Sequence, residues 1–189
     1  MDSLLAEIKN CTLCQAHLQH GVNPVLSAHA TSKVAIIGQA PGSVVHQSGI
    51  PWDDKSGERL RDWLGVKEEE FYNPQLFALI PMGFCYPGKG KSGDLPPRPE
   101  CAVKWHEALM SQMNDLELIL LIGSYAQKYY LGEKAKGTLT ATVRNFNDYL
   151  PKHLPLPHPS PRNNIWLKKN PWFTDELLPS LKARVKLYL

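Results

Sequence analysis

The chain has 189 residues, of which 43% are hydrophobic and 21% charged, a composition that suits one domain with a core of its own. It contains no apolar run near the roughly 20 residues that cross a bilayer and no signal-peptide pattern at residues 1–7, so we expect a cytoplasmic protein that does not enter a membrane. The net charge of +3 is too small to indicate a nucleic-acid partner by itself, although basic residues cluster at 89–98 and 162–169.

Short apolar runs alternate with amphipathic segments along the chain. The pattern predicts helix 2–9, strand 34–37, helix 58–64, strand 76–80, helix 101–113, strand 116–122, helix 124–130, strand 154–157 and helix 173–187. Within helix 101–113 we expect Val103, Leu109 and Met113 to face the core. Alternation of this kind is typical of a parallel sheet covered by helices on both faces. We therefore predict an α/β fold in three layers, with a short, central, mostly parallel sheet of about four strands, as a single domain over residues 1–189.

The chain has four cysteines, Cys11, Cys14, Cys85 and Cys101. The first two form a Cys-x-x-Cys pair, and fifteen residues separate the last two. In a cytoplasmic protein this layout favours a metal site over disulfides, and thiolates suit either Zn²⁺ or an iron–sulfur cluster. A redox Cys-x-x-Cys pair would leave the other two cysteines unexplained, and four buried free thiols are the remaining alternative.

The segment between the last two cysteines, residues 86–100, is rich in proline, and we call it the proline loop. Its four prolines prevent a regular helix or strand. A loop of this length needs an anchor at each end, and a metal group held by the flanking cysteines would supply both anchors.

Residues 38–42, Gly-Gln-Ala-Pro-Gly, follow the first predicted strand, and we call them the glycine loop. Glycine at both ends lets the backbone approach a ligand closely, with N–H groups free to point at it. Open α/β sheets place their active sites beyond the carboxyl ends of strands, where this loop is expected. Polar side chains that could act nearby are Gln39, His46, Asp53 and Asp54. An ordinary turn between a strand and a helix is the alternative.

Residues 158–163, His-Pro-Ser-Pro-Arg-Asn, follow the last short strand, and we call them the histidine loop. The prolines stiffen the loop and fix the direction of the His158 side chain. A single histidine in a loop usually has no special role, so this segment gains weight only in combination with the others.

These segments together resemble the uracil-DNA glycosylase superfamily over about residues 8–185. The glycine loop is similar to the Gly-Glu-Ala-Pro-Gly of the iron–sulfur, family-four enzymes. Residues 49–52, Gly-Ile-Pro-Trp, are similar to their Gly-x-Pro-Phe, whose ring stacks on the flipped base, so Trp52 would take that role. The histidine loop is similar to the second motif of the superfamily, in which the histidine contacts the base. The cysteine layout resembles the ligand set of the family-four [4Fe-4S] cluster, with Zn as the alternative metal.

The resemblance implies a monofunctional DNA glycosylase, which flips a damaged base and hydrolyses its N-glycosidic bond, with DNA as partner in a monomeric protein. Arg162 takes the position where a wedge enters the duplex and where the best-known family has Leu, and Asn163 and Ser160 would lie near DNA. A non-catalytic iron–sulfur DNA-binding relative and a metal-stapled α/β protein that acts on nucleotides are the alternatives.

The chain departs from the family pattern at the catalytic carboxylate. Gln39 stands where family four has Glu, and Ala40 stands where family one has Asp; an amide cannot act as a general base. Asp54 opens a segment, Asp-Lys-Ser-Gly, that resembles the Asp-Arg-Ser-Gly of family five. We therefore expect Asp54 to activate water or to stabilise the sugar cation, with Asp53 and His46 as rivals and a helix N-cap as the bland alternative.

The residue that reads the base is also altered. Pro81 stands where family-four enzymes carry an Asn, and proline offers neither a side-chain donor nor an N–H. Backbone groups around Met82 and Gly83 are the expected replacement. The excised base is therefore uracil or another base, such as hypoxanthine, xanthine or a modified pyrimidine. The residues expected to bind the base are Gly38, Gln39, Ala40, Gly42, His46, Trp52, Asp53 and Met82, and the expected catalytic residues are Asp54, His158 and Gln39.

Overall fold

The computed structural model describes every residue from Met1 to Leu189. One sheet of four parallel strands forms its centre. The strands are β1 (Val34–Gly38), β2 (Phe77–Pro81), β3 (Leu118–Ile122) and β4 (His153–Leu156), in the order β2-β1-β3-β4. The predicted α/β class, the strand number and the four strand positions are confirmed to within about two residues, the usual uncertainty of such boundaries.

Nine α-helices surround the sheet. They are α1 (Asp2–Lys9), α2 (Ser43–Ser48), α3 (Lys55–Leu64), α4 (Glu68–Phe71), α5 (Pro99–Ser111), α6 (Gly123–Leu131), α7 (Leu139–Arg144), α8 (Asn164–Lys169) and α9 (Leu178–Val185). The predicted helix 173–187 begins as a π-helical turn, Phe173–Leu177, before α9. The short helices α2, α4, α7 and α8 had no sequence prediction, because four to six residues are too few to reveal a helical period. No helix is long and apolar enough to span a membrane.

The sheet is buried on both faces, which explains its continuous apolar strands. Alternate residues of each strand point to opposite faces. Val34 and Ile36 belong to a core shared with α3, α7 and α9, whereas Ala35 and Ile37 belong to a second core shared with α1, α5 and α6. The three layers predicted from the sequence are therefore present.

One predicted core position is wrong. Val103 on α5 is 73% exposed, while Ala102, Trp105 and Leu109 are buried. The buried stripe of α5 follows positions i, i+3 and i+7 from Ala102, so Val103 lies to the side of it. Met113 is buried as expected, but it lies beyond the end of the helix.

The strand order creates a crevice at one edge of the sheet. The chain passes from β1 to β2 on one side and later enters β3 on the other side of β1. Ligands of open parallel sheets bind where connections diverge in this way, outside the carboxyl ends of the strands. The glycine loop follows β1 and the histidine loop follows β4, so both loops lie at that edge.

Candidate active site

A cleft of about 270 Å³ opens at the carboxyl edge of the sheet. The glycine loop, the stretch from Pro51 to Ser56, the histidine loop and the proline loop each contribute to its walls. The predicted site residues that line it are Gly38, Gln39, Ala40, Gly42, Trp52, Asp54, His158, Ser160 and Arg162. Two loops that are far apart in the sequence therefore meet around one cavity.

The glycine loop presents backbone donors at the cleft. The N–H groups of Gln39 and Ala40 have no acceptor among the hydrogen bonds of the protein. The loop is held in place because the N–H of Met82 donates to the Gly38 carbonyl at 2.9 Å and that of Gly83 donates to the Gln39 carbonyl at 3.1 Å. Unpaired N–H groups on a fixed backbone suit a carbonyl oxygen or an anion.

The same hydrogen bonds contradict the expectation that backbone groups near Met82 bind the base. The N–H groups of Met82 and Gly83 are used to hold the glycine loop, and Met82 does not line the cleft. The carbonyl of the preceding Pro81 accepts a hydrogen bond from His106 Nε2 at 3.1 Å. The expectation for Met82 is therefore corrected, because its donor is already occupied.

Two glycines allow Trp52 to reach the cleft. Trp52 has a φ of 60°, a conformation that costs a non-glycine residue about 1–2 kcal/mol. A Cβ on Gly57 would lie 1.8 Å from the Trp52 carbonyl oxygen, and a Cβ on Gly38 would lie 2.8 Å from the Trp52 ring. The Trp52 ring lies 5.8 Å from the His158 ring, measured between centroids. The strained backbone and both glycines thus place an aromatic surface beside the histidine.

Asp54 lies at the cleft and also caps a helix. It is the N-cap residue of α3, and its Oδ1 accepts a hydrogen bond from the N–H of Gly57 at 2.9 Å. The helix N-terminus favours a negative charge at this position. The N-cap role that the sequence offered as the alternative is therefore present. It does not exclude a role in the cleft, because Asp54 also lines the cleft.

His158 is held with a defined orientation. Its Nδ1 accepts a hydrogen bond from the N–H of Ser160 at 3.2 Å, which leaves the proton of the neutral ring on Nε2. Burial lowers the pKa of His158, and the charges of Asp54 and Asp94 oppose that shift only partly. Asn163 donates its side-chain amide to the His158 carbonyl at 2.7 Å, so it stabilises the loop and does not line the cleft.

Besides Met82 and Asn163, two further predicted residues do not line the cleft. His46 lies on α2, and its Nε2 lies 3.1 Å from the carbonyl oxygen of His20, with Tyr86 as a further ring neighbour. Asp53 is exposed and lies outside the cleft, although its neighbour Asp54 lines it. The structure therefore separates the two adjacent aspartates, which the sequence could not do.

The proline loop contributes a carboxylate that sequence analysis missed. Asp94 lines the cleft, and its Oδ1 accepts a hydrogen bond from the Tyr86 hydroxyl at 3.4 Å. A bridge between Lys89 and Asp94 folds this part of the loop into a small hairpin. The only signal in the sequence is the group of glycines around the hairpin, which predicts a turn but not its direction.

A second cavity lies where the N-terminal segment meets both ends of the proline loop. All four cysteines line it, together with Arg98 and Trp105 among others. Burial raises the pKa of the Cys101 thiol to about 12 and also raises the pKa of Cys14 and Cys85. The N–H of Phe84 lies 3.4 Å from Cys101 Sγ. The four sulfurs are therefore gathered at one place that the cysteine layout predicted.

The four thiols surround this cavity without converging on one point. No three cysteine, histidine, aspartate or glutamate side chains are arranged to hold a single metal ion. A zinc ion needs its sulfur ligands at about 2.3 Å from one centre. Because all four donors are thiols, the residues fit either a zinc ion or an iron–sulfur cluster.

Comparison with known proteins places this geometry in a family context. The sequence model of the uracil DNA glycosylase superfamily matches residues 26–182. A type-4 uracil-DNA glycosylase of Thermotoga maritima is 24% identical over 167 residues, which cover 85% of this chain and 81% of that protein. The range matched by the family model includes the glycine loop, the proline loop and the histidine loop.

Proposed function

The chain belongs to the uracil-DNA glycosylase superfamily, and from that premise we propose that it is a monofunctional DNA glycosylase that removes uracil or another damaged or modified base. The observation that carries this proposal is a single cleft that combines free backbone donors, an aromatic ring, a carboxylate and a neutral histidine. These are the groups that hydrolysis of an N-glycosidic bond requires.

The roles follow from where charge develops. As the bond between C1′ and the base breaks, the sugar becomes positive and the base becomes negative. Asp54 stabilises the sugar cation, while His158 Nε2–H and the N–H groups of Gln39 and Ala40 hold the oxygen atoms of the leaving base. Trp52 stacks on the flipped base and compensates part of the cost of unstacking it from DNA.

A panel of oligonucleotides with one lesion each tests this function. We expect base release from at least one of uracil, hypoxanthine, xanthine or a modified pyrimidine, measured by cleavage of the abasic product in single- and double-stranded DNA. An oligonucleotide without a lesion is the matched control. If the protein binds DNA tightly but releases no base, it is a non-catalytic DNA-binding relative. This is the second candidate function because Gln39 stands where a catalytic carboxylate is expected.

We also propose that the four cysteines hold a [4Fe-4S] cluster. The gathering of all four thiols around one cavity and the all-sulfur donor set support it. When bound, the cluster supplies a structural link, because it joins the N-terminal segment to both ends of the proline loop. The residues that would hold it are Cys11, Cys14, Cys85 and Cys101. A cytoplasmic location and a monomeric state remain predictions.

Replacing Cys85 by Ser should remove the iron. The wild-type protein, purified anaerobically, should be brown, with broad absorption near ~400 nm and about four irons per chain. The variant should be colourless and less soluble, because one anchor of the proline loop is lost. Iron analysis and absorption spectroscopy measure both. A wild-type protein with one zinc and no iron would contradict the assignment.

Arg162 is proposed to enter the duplex where the flipped base leaves a gap. It is exposed at the mouth of the cleft, and its Nη1 lies 3.5 Å from the carbonyl oxygen of Ser92 in the proline loop. A guanidinium group can fill the vacated stack and also pair with phosphate.

Replacing Arg162 by Ala should reduce activity on duplex DNA about tenfold or more. Activity on single-stranded DNA should fall much less, because only a duplex leaves a gap to fill. Binding should also become less dependent on salt, since a cation near phosphate is removed. Lys134→Ala is the control, because Lys134 follows α6 toward the opposite edge of the sheet. Equal losses on both substrates would indicate a surface charge without a wedge function.

A further inference from the structure

We propose that Asp94, in the proline loop, is the general base that accepts a proton from the attacking water. This inference rests on the proposed glycosylase function and assigns the role of proton acceptor to a residue outside the family motifs, which leaves Asp54 to stabilise the sugar cation. Gln39 stands at the usual carboxylate position, and an amide cannot accept the proton. The carboxylate must therefore come from another segment that reaches the same cleft.

The proline loop lies close to the two other loops of the cleft. It folds over the glycine loop and the histidine loop at the mouth of the cleft. Gln39 Nε2 lies 3.5 Å from the Leu95 carbonyl oxygen, and Arg162 Nη1 lies 3.5 Å from the Ser92 carbonyl oxygen. Asp94 lies between these two contacts in the chain, so both loops hold it against the cleft.

One oxygen of the Asp94 carboxylate is free. Its Oδ1 is occupied by the Tyr86 hydroxyl, whereas Oδ2 accepts no hydrogen bond from the protein. A Cβ on Gly42 would lie 3.8 Å from this Oδ2, so the free oxygen faces the glycine loop. The residue as a whole is exposed, which places it at the mouth of the cleft rather than at its floor.

The two carboxylates of the cleft are held in different ways, which suits them to different roles. Asp54 is fixed by the N–H of Gly57 as the cap of α3, so it is suited to act as a stationary negative charge. The Asp94 backbone is held by the bridge to Lys89, but its carboxylate accepts only one long hydrogen bond, from Tyr86, so the carboxylate can reorient toward a water molecule that approaches C1′. Different surroundings thus give two carboxylates different roles in one site.

The oxygen of water forms a bond to C1′ of the deoxyribose, and the bond between C1′ and the base nitrogen breaks. The electron pair of the broken bond goes to the base, whose oxygen is held by His158 Nε2–H. One proton of the water goes to Asp94 Oδ2. The immediate products are the base anion, protonated Asp94 and an abasic sugar that carries a hydroxyl group on C1′; the base anion then takes up a proton, and Asp94 returns its proton to solvent.

The test uses the intact protein and the lesion that the wild type releases. Asp94→Asn keeps the shape of the side chain but cannot accept the proton, so the single-turnover rate should fall about 10²-fold. DNA affinity and the melting temperature should change little, because the residue is exposed and caps no helix. Asp115→Asn, at an exposed carboxylate before β3 on the opposite edge, is the matched control.

Added formate separates a base from a merely structural residue. Formate should restore part of the rate of Asp94→Asn, because a small carboxylate can occupy the vacated place, and it should not restore the rate of Asp54→Asn. Wild-type rate in Asp94→Asn, or rescue of Asp54→Asn alone, would overturn the assignment while leaving the glycosylase function intact. A wild-type protein that releases no base would instead overturn both.

Discussion

Replacing Asp54 by Asn is expected to lower the single-turnover rate of base release about 10³-fold. The sugar becomes cationic in the transition state, and a full negative charge about 4 Å away stabilises it by about 4 kcal/mol at an effective dielectric constant near 20. Each 1.36 kcal/mol corresponds to a factor of ten in rate. Rapid-quench measurement of base release with excess enzyme gives this rate without interference from product release.

The Asn variant isolates the charge of Asp54 from its structural role. Asn is as good an N-cap as Asp, so the hydrogen bond from the N–H of Gly57 to this side chain can persist and α3 should remain stable. Ala at the same position would lose both the charge and the cap. The adjacent Asp53 is the matched comparison, because it is exposed and outside the cleft. A fully active Asp54→Asn together with an inactive Asp53→Asn would show that the wrong aspartate was chosen.

The strands and the fold class could be predicted because the sheet is buried on both faces. A strand such as β3 is a continuous apolar run, Leu118–Ile122, which the sequence displays directly. The amphipathic helix α5 was located, but its buried face was misjudged at Val103, because the orientation of a helix depends on what it packs against. The resemblance to the uracil-DNA glycosylase superfamily is confirmed by the family match.

The candidate site was predictable only where a motif marks it. The glycine loop and the histidine loop each follow a strand, so their meeting at one edge follows from parallel topology. The separation of Asp53 from Asp54 could not be predicted, because it depends on the local backbone, which includes a positive φ at Trp52 that an aromatic residue rarely adopts.

The proline loop marks the limit of the sequence-based prediction. It has no hydrophobic period, so the sequence indicates that it needs anchors but not which side of the cleft it covers. The position of Asp94 at the cleft could therefore be recognised only from tertiary contacts, such as the one between Gln39 Nε2 and the Leu95 carbonyl oxygen. The position of His46 escaped prediction for a similar reason, because the short helix α2 turns its side chain toward His20.

Replacing His158 by Ala should lower the single-turnover rate by about 10² to 10³-fold, the usual cost of removing one donor from a developing anion. The neutral ring donates through Nε2 because Nδ1 already accepts the N–H of Ser160. DNA binding should change little, since His158 is mostly buried and is not proposed to contact phosphate. Gln at this position, which can also donate, should retain more activity than Ala.

The pH dependence distinguishes a neutral donor from a charged one. Burial lowers the pKa of His158 below its ordinary value, so the ring stays neutral to lower pH than a free imidazole, and the wild-type rate should not depend on His158 titration around neutral pH and above. Below that range protonation of Nδ1 would break the hydrogen bond from Ser160, so the rate should fall as the pH is lowered through the depressed pKa. The Ala variant should lack this particular decrease. If the wild-type rate instead rises as the pH is lowered, and if the His158→Ala variant loses that rise, His158 acts as an imidazolium acid.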